Sequence, residues 1–324
     1  MSTKEKLLAL LERNREIYLS GEEIAKKLSL SRTAVWKAVK TLQKKGYSID
    51  AITNKGYSLK DRTDILSAQG IAKYLNPEIS DTEISVLSQT TSTNALVHEK
   101  ANLGKQEGYL VIANEQTAGR GRLGRSFFSP KDTGIYMSLL LRPENYSAKE
   151  AVKITTMAAV AICEAIETVS EEKALIKWVN DIFVKEKKVC GILTEASFNL
   201  ENGLLDYAIL GIGINIYEPR NGFPKDISGS AKALFKDNQN DVKNKFVAEF
   251  LNRFYVYYKQ KKQTDYVEKY RKRNFVIGRK VNVLFGNETK KATVTGIDEE
   301  CRLLVKYPDQ KQDSYSFGEI KIIA

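Results

Sequence analysis

The chain of 324 residues has few of the residues on which most metal centres and disulfide frameworks depend. It has a single histidine, His98, and three widely spaced cysteines, Cys163, Cys190 and Cys301. One histidine excludes a His-Glu-x-x-His zinc site and any multi-histidine centre. It also leaves one candidate base for a Ser-His-Asp or Cys-His nucleophile, so covalent catalysis is not expected. The cysteines form no Cys-x-x-Cys pair, which favours a reducing compartment.

Long apolar runs are also missing. No stretch approaches the roughly 20 apolar residues that a membrane helix needs. The first residues, Met1-Ser2-Thr3-Lys4-Glu5, contain neither the apolar core of a signal peptide nor a glycine for myristoylation. These absences predict a cytoplasmic protein that does not bind membranes.

Basic charge is abundant but uneven. The net charge is +11, with 13 Lys/Arg against six Asp/Glu in residues 1–60 and 27 of each in residues 61–270. Residues 271–324 carry 11 Lys/Arg against seven Asp/Glu. A basic head joined to a neutral body is typical of a DNA-binding module attached to another domain. The alternative is that the lysines only keep a small domain soluble.

The first sixty residues have the pattern of a winged helix-turn-helix. A leucine-rich helix over Lys4–Asn14 is followed by two short helices that Ser20 and Ser31 can cap, the second running to about Lys44. Alternating residues on both sides of Asn54-Lys55-Gly56 then predict a hairpin wing. A three-helix bundle used for protein contacts is the alternative. The candidate DNA contacts are Arg32, Thr33, Trp36, Lys37, Lys40 and Lys55.

A loop that alternates glycine with arginine follows a short strand at Tyr109–Ala113 and precedes another at Ile135–Leu141. It reads Gly119-Arg120-Gly121-Arg122-Leu123-Gly124-Arg125. Glycine allows the backbone to approach a ligand, and guanidinium groups match the oxygens of phosphate or carboxylate. The chain has no Gly-x-x-x-x-Gly-Lys-Ser/Thr sequence, so P-loop chemistry is disfavoured. The loop is either an active-site loop, which its position between strands favours, or a flexible RNA-binding segment.

The rest of the chain alternates helix and strand signals. Ser147 and Glu150 predict a helix that runs to about Val169. A hairpin then places Asp181 near Lys188, where an anionic group could meet both a lysine and a metal-binding carboxylate. Residues 271–324 contain four or five short alternating segments, among them Ser314–Phe317, which fit an SH3-like barrel. An inert stabilising appendage is the alternative for that region.

Five segments together resemble a known family along the whole chain. They are Thr91-Ser92-Thr93-Asn94, Glu115 to Arg122, Lys177-Trp178-Val179-Asn180-Asp181, Lys188 to Glu195, and Gly211-Ile212-Gly213-Ile214-Asn215. In this order behind a helix-turn-helix, they resemble the biotin–protein ligases that also repress the biotin operon. That family usually has proline where Val179 stands and often tryptophan where Phe127 stands.

The resemblance implies that biotin and ATP form biotinyl-5′-adenylate, which a lysine of a biotin carboxyl carrier domain then attacks. It implies biotin contacts from Ser92, Thr93, Asn94, Gln116, Arg120, Gly121, Arg122 and Lys188, with Arg120, Arg122 and Lys188 catalytic. It further implies nucleotide contacts from Arg122, Phe127, Asn180 and Asn215, and a magnesium contact from Asp181. The adenylate would promote a homodimer that binds operator DNA.

The predicted fold is therefore α+β with three domains. Residues 1–62 form the winged helix-turn-helix, residues 63–270 a mixed α/β ligase domain similar to class II synthetases, and residues 271–324 the SH3-like barrel. Two other functions stay open: a ligand-sensing repressor without ligase activity, and a lipoate-type ligase. The phosphate-binding arginines argue against the first, and the helix-turn-helix with its Gly-Arg loop argues against the second.

Overall fold

The structure is a computed structural model that describes residues 1–61, 63–147, 150–199, 201, 203–259, 264–285 and 288–323. It divides into two compact units. One comprises Met1–Ser80 with Asp237–Glu249, and the other comprises Asp81–Lys236 with Phe250–Ala324. Within the described ranges, no helix is long and apolar enough to cross a membrane.

The first unit begins with a winged helix-turn-helix, as predicted. Ser20 Oγ accepts a hydrogen bond from the Glu23 amide at 3.0 Å, and Ser31 Oγ accepts one from the Ala34 amide at 3.1 Å, so both caps form. The wing strands pair antiparallel, from Ile49 opposite Leu59 to Ile52 opposite Gly56. The elements are α1 (Thr3–Glu12), α2 (Gly21–Leu28), α3 (Arg32–Lys44), β1 (Ile49–Ile52), β2 (Gly56–Leu59) and α4 (Ala68–Ala72). The apolar faces of α1, α2, α3 and the two wing strands meet in one core that includes Leu7, Leu11, Ile24, Val35 and Leu42.

A buried network of ion pairs ties α1 to the residues that follow the wing. The Glu12 carboxylate lies 2.9 Å from Arg15 Nε and 2.7 Å from Lys73 Nζ. The Asp241 carboxylate meets the same two cations at 2.9 and 2.6 Å and accepts a hydrogen bond from the Tyr74 hydroxyl at 2.9 Å. All four charged side chains are at most 10% exposed. Two acids and two bases therefore compensate each other out of contact with water.

The second unit is built on a seven-stranded sheet in the order β3-β4-β5-β9-β8-β7-β6. Only β3 and β4 are parallel, and the other neighbours are antiparallel. The strands are β3 (Ile84–Leu87), β4 (Leu110–Ala113), β5 (Gly134–Leu141), β6 (Leu175–Lys177), β7 (Asp181–Val184), β8 (Lys187–Phe198) and β9 (Leu205–Asn215). The chain's further helices are α5 (Thr93–Asn102), α6 (Ala151–Val169), α7 (Val242–Lys259) and α8 (Thr264–Arg273).

Helix α6 begins later than the Ser147–Glu150 pattern suggests. Its N-cap is Glu150, and the first helical residue is Ala151. The amide and hydroxyl of Ser147 both donate to the Glu150 carboxylate, at 3.0 and 3.2 Å. The predicted contact between the two residues therefore forms, but it closes the turn before the helix. The end at Val169 is as predicted.

The C-terminal segment forms a five-stranded antiparallel sheet in the order β13-β12-β11-β10-β14. Val281, Val294, Leu303 and Val305 are buried in it. The strand predicted at Ser314–Phe317 lies instead at Gln312–Tyr315, and a further strand follows it. The five are β10 (Lys280–Phe285), β11 (Glu288–Ile297), β12 (Leu303–Lys306), β13 (Gln312–Tyr315) and β14 (Glu319–Ile322).

Removing one acid of the buried network should destabilise the first unit. We expect Glu12→Gln to lower local stability by about 3 kcal/mol, because Arg15 and Lys73 keep their charges while one buried carboxylate is lost. Hydrogen exchange of the α1 amides measures this without relying on global unfolding. The matched control is Glu23→Gln, which removes an exposed pair with Lys27 and should cost under about 1 kcal/mol. Equal protection of α1 in both variants would contradict the expectation.

Candidate functional site

A narrow cavity of about 50 Å³ lies in the second unit, lined by β5, β8, β9, the start of α5 and the Gly-Arg loop. It brings together most of the predicted site residues, although they come from four separate segments of the chain. The predicted residues that line it are Ser92, Thr93, Asn94, Gln116, Arg120, Gly121, Arg122, Phe127, Asn180 and Lys188. Asp181 lines a neighbouring cavity, and Asn215 lines neither.

One part of the lining carries uncharged hydrogen-bonding groups. Ser92 is the N-cap of α5, which places Thr93 and Asn94 in the first turn. The Thr93 amide and hydroxyl both donate to Gln116 Oε1, at 2.9 and 3.1 Å. Gln116 Nε2 in turn donates to Ser129 Oγ at 3.0 Å. These donors and acceptors are held in place by one another before any ligand arrives.

Asn94 is fixed by two residues that the sequence analysis did not assign to the site. Its Nδ2 donates to the Glu195 carboxylate at 2.6 Å, and its Oδ1 accepts from Ser138 Oγ at 2.6 Å. A serine between the apolar residues Met137 and Leu139 of the strand Gly134–Leu141 was the available signal for Ser138. Gly211 is required opposite this group, since a Cβ there would lie 2.9 Å from Asn94 Cγ.

The backbone of Gly211 and Gly213 forms the floor of the cavity, and the Phe127 ring lies directly against Gly213. A Cβ on Gly213 would lie 2.6 Å from Cζ of Phe127, which is closer than real Cβ atoms come. The ring also makes an edge contact with Tyr136, with centroids 6.4 Å apart. The cavity is well below the roughly 300 Å³ of ordinary ligand pockets. Part of the space above Gly213 is filled by the Phe127 ring.

Another part of the lining is cationic. Arg122 donates to Asn180 Oδ1 at 2.8 Å and to the Gly318 carbonyl at 2.9 Å. Burial lowers the pKa of this guanidinium, while Asp181 and Glu319 oppose that shift. Lys188 Nζ lies 2.7 Å from the Asp181 carboxylate. Arg120 is exposed on the loop.

The Gly-Arg loop has a defined fold of its own. The Gly121 amide donates to the Arg125 carbonyl at 2.7 Å, and the Phe127 amide donates to the Gly119 carbonyl at 2.9 Å. These bonds make the loop a short hairpin with Arg122 on its inner side. Arg125, at its outer side, pairs with Glu319 at 2.5 Å. Glu319 and Gly318 are further contributors that sequence reasoning missed, because they lie almost 200 residues away.

Two predicted groups stand apart from the cavity. Asn215 ends β9, and its side chain donates to the Lys232 carbonyl at 3.2 Å. Its nucleotide contact stays a prediction. Asp181 is the only carboxylate among the predicted site residues. In the described part of the chain, no three His, Cys, Asp or Glu residues are grouped to hold a metal ion.

A separate groove of about 640 Å³ lies in the first unit, between α3 and the wing. Arg32, Thr33 and Trp36 line it from α3, and Ile52 and Asn54 line it from the wing. The Trp36 side chain is 51% exposed, which is unusual for so large an apolar group. The other predicted DNA contacts, Lys37, Lys40 and Lys55, are exposed outside the groove lining.

Comparison with known protein families finds a match for each of three regions of the chain. Residues 3–58 match an HTH domain, residues 86–215 match the Biotin/lipoate A/B protein ligase family, and residues 276–322 match the Biotin protein ligase C terminal domain. The bifunctional ligase/repressor BirA of Bacillus subtilis is 38% identical over 228 residues, which cover 70% of this chain and 69% of the relative.

The chain belongs to the family of bifunctional biotin ligase/repressors.

The similarity to other relatives extends further along the chain. The bifunctional ligase/repressor BirA of Escherichia coli is 28% identical over 304 residues, which cover 93% of this ligase/repressor and 91% of that protein. The structure of the biotin protein ligase from Aquifex aeolicus in complex with biotin and ATP superposes with a TM-score of 0.62 at 25% identity. That match covers 74% of this chain and 98% of the other. The protein is thus a biotin–protein ligase that carries a repressor head, as the sequence predicted.

The contact between Phe127 and Gly213 yields a direct test of the cavity. We expect Gly213→Ala to lower biotin-dependent pyrophosphate exchange about 100-fold, because the new methyl group displaces the ring and the loop behind it. Gly229→Ala is the control, since a Cβ there meets nothing within 4 Å. Circular dichroism of both variants verifies the fold. Unchanged pyrophosphate exchange in Gly213→Ala would mean that adenylation does not need the Phe127 ring in its position against Gly213.

Proposed function

We propose that the cavity of the second unit binds biotin and ATP, joins them as biotinyl-5′-adenylate, and passes the biotinyl group to a lysine of a carrier domain. The observation that carries this proposal is the polarity of the cavity. Uncharged hydrogen-bonding groups and cationic groups line one continuous space. A bicyclic urea with a carboxylate tail has the same two chemical parts.

The uncharged groups suit the ureido ring of biotin. Ser92, Thr93 and Asn94, together with Gln116, offer both donors and acceptors to its N–H and carbonyl groups. A site built to hydrogen-bond such a ring rejects an acid that lacks it, because the buried polar groups would be left unpaired. Lipoate has no urea, so this part of the lining favours biotin over a lipoate-type substrate.

The cationic groups suit the reacting atoms. In adenylation the biotin carboxylate attacks the α-phosphorus, a phosphorus–oxygen bond to the acyl oxygen forms, and pyrophosphate leaves with the electron pair of the bond that breaks. Negative charge on the phosphorus oxygens grows during this step. Arg122, Lys188 and Arg120 line the cavity and would stabilise this charge without an enzyme nucleophile. The next step is attack by the carrier lysine on the acyl carbon, which releases AMP.

A magnesium ion would accompany the nucleotide. Mg²⁺ is commonly held by one or two carboxylates together with substrate phosphates, so Asp181 fits as its protein ligand. The ion would supply charge neutralisation on the phosphates. Asp181 is also within 2.7 Å of Lys188, so its carboxylate holds that ammonium group in the cavity. A water-excluding loop around Phe127 would protect the anhydride from hydrolysis.

The lining argues against a ligand sensor without ligase activity. Binding biotin alone needs groups for the ring and one cation for the carboxylate. The lining instead contains Arg122, Lys188 and Arg120, and a fourth cation, Arg125, lies just outside it. So many cations at one cavity are expected for a phosphate-bearing substrate. This favours the ligase.

Replacing Lys188 should distinguish a ligase from a ligand sensor. We expect Lys188→Ala to lower biotin-dependent exchange of labelled pyrophosphate into ATP by about 100- to 1000-fold, the usual cost of losing one group that stabilises transition-state charge. Lys187→Ala is the matched control, because Lys187 is exposed at the same hairpin. Near-normal exchange in Lys188→Ala would remove this lysine from the site.

The parallel acid in the same assay is lipoate. Exchange with biotin alone supports the proposed substrate, and exchange with lipoate alone overturns it. If the wild-type protein supports exchange with neither acid, the second unit is a sensor and the ligase assignment fails.

Helix α3 of the first unit carries the residues proposed for the repressor function. Arg32, Lys37 and Lys40 present positive charge along α3, the helix that enters the major groove in this fold. We propose that the adenylate promotes a homodimer whose paired heads bind a two-fold operator. The effect requires that the adenylate bind the dimer more tightly than the monomer.

The three buried free cysteines are compatible with the predicted cytoplasmic location.

Operator binding should depend on α3 and on the ligand. We expect Arg32→Ala with Lys37→Ala to weaken binding and to reduce the salt slope by about one unit for each lost phosphate contact. Ligase activity should not change. Lys6→Ala with Arg13→Ala removes the same charge from exposed positions away from the groove and is the control. Equal losses in both pairs, or dimerisation that ignores biotin and ATP, would contradict this proposal.

A further inference from the structure

A second, more strongly charged cavity adjoins the first. Its volume is about 110 Å³, several times the roughly 10–15 Å³ that one water needs on this measure. It shares Gly121, Arg122, Phe127, Asn180 and Lys188 with the first cavity, so the two meet at one wall. The groups found only in the second cavity include Lys177, Arg125, Asp181 and Glu319.

Lys177 is the unexplained group in this cavity. It ends β6, and its side chain is half-buried. Across the described ranges its ammonium group has neither a hydrogen bond nor an ion pair. Asp181 and Glu319 attract it only at longer range, since each is already paired, with Lys188 and Arg125 respectively. Burial lowers the pKa of Lys177, which reflects the cost of holding this charge away from water.

A desolvated cation among other cations is unfavourable unless an anion joins it. Arg122, Arg125 and Lys188 line the same cavity, and Lys188 and Arg125 add repulsion to Lys177. The two carboxylates do not remove that repulsion, because four cations face two acids. A polyatomic anion with several negative oxygens would balance the excess. The cavity therefore fits a phosphate chain better than it fits a neutral ligand.

The geometry of phosphoryl transfer indicates which phosphates these are. In an in-line displacement the attacking and leaving oxygens lie on opposite sides of the phosphorus. If the biotin carboxylate lies in the first cavity and the α-phosphate at the shared wall of Arg122 and Lys188, the leaving group lies on the far side. The far side is the cavity that contains Lys177.

We infer that Lys177 binds the β- and γ-phosphates of ATP and holds the pyrophosphate that leaves during adenylation. This inference rests on the proposed function. As the bond between the α-phosphorus and its bridging oxygen breaks, the electron pair passes to pyrophosphate, and the Lys177 ammonium stabilises the charge that develops there. The transfer of biotin to a carrier lysine involves no pyrophosphate, so Lys177 takes no part in it.

The test uses this difference between the half-reactions. With the full-length protein, Lys177→Met should lower biotin-dependent pyrophosphate exchange about 10- to 100-fold, the effect of one charged hydrogen bond. Biotin transfer from preformed biotinyl-5′-adenylate to a carrier domain should proceed at the wild-type rate. The control is Lys173→Met, which changes an exposed lysine in the segment just before the same strand and should alter neither reaction.

Two further measurements distinguish binding from a structural role. Lys177→Arg should retain most of the exchange, because the charge remains. Thermal unfolding without nucleotide should be unchanged or higher in Lys177→Met, since the substitution removes an unpaired, half-buried charge. Inorganic pyrophosphate, used as a direct probe in calorimetry, should bind about 10-fold more weakly to Lys177→Met than to the wild type.

Each contrary outcome has a distinct meaning. Equal losses in exchange and transfer, or a less stable Lys177→Met variant, would overturn the inference by making Lys177 a structural residue. Normal exchange in Lys177→Met would overturn it directly. Failure of the wild-type protein to exchange pyrophosphate with biotin would instead overturn the proposed ligase function, together with this inference.

Discussion

The pairing of β8 with β9 is the constraint on which the rest of the site depends. Gly191 lies opposite Gly213, and Leu193 lies opposite Gly211. Since directly paired residues project to the same face of a sheet, both pairs belong to the cavity face. Lys188 precedes Gly191 on the same strand, so this register also determines where the ammonium group stands. A slip of one residue would turn these side chains to the other face and abolish the cavity.

Charged groups serve two different purposes in the two units. In the first unit, Glu12, Arg15, Lys73 and Asp241 are mutually neutralised and buried, so their charges hold helices together. In the second unit the cations around the two cavities outnumber the acids. Arg122 and Lys177 are largely withdrawn from water, and uncompensated positive charge at such positions is costly for the fold alone. Its presence at one place is what distinguishes a site for phosphates from a structural ion network.

Sequence reasoning predicted features that depend on nearby residues better than features that depend on topology. The caps at Ser20 and Ser31, the Gly-Arg loop and the Asp181–Lys188 hairpin are local, and they form where expected. Ser138, Glu195 and Gly318 reach the site only because distant strands are brought together. The same reason explains why β14 was not foreseen. β14 has only four residues, so its alternation of polar and apolar side chains is too short to predict a strand. The strand is evident only from its pairing with β10.

The main-chain floor beneath Phe127 also determines where conformational entropy is lost when a ligand enters. Gly213 and Gly211 have no side chains to immobilise, and the sheet already fixes their backbone. The ordering cost of binding therefore falls on side chains above the floor, among them Arg120 and Arg122 of the loop from residue 115 to residue 127. Changes to this loop would then alter how long a ligand stays bound, while the floor sets which ligand shapes can lie flat against it.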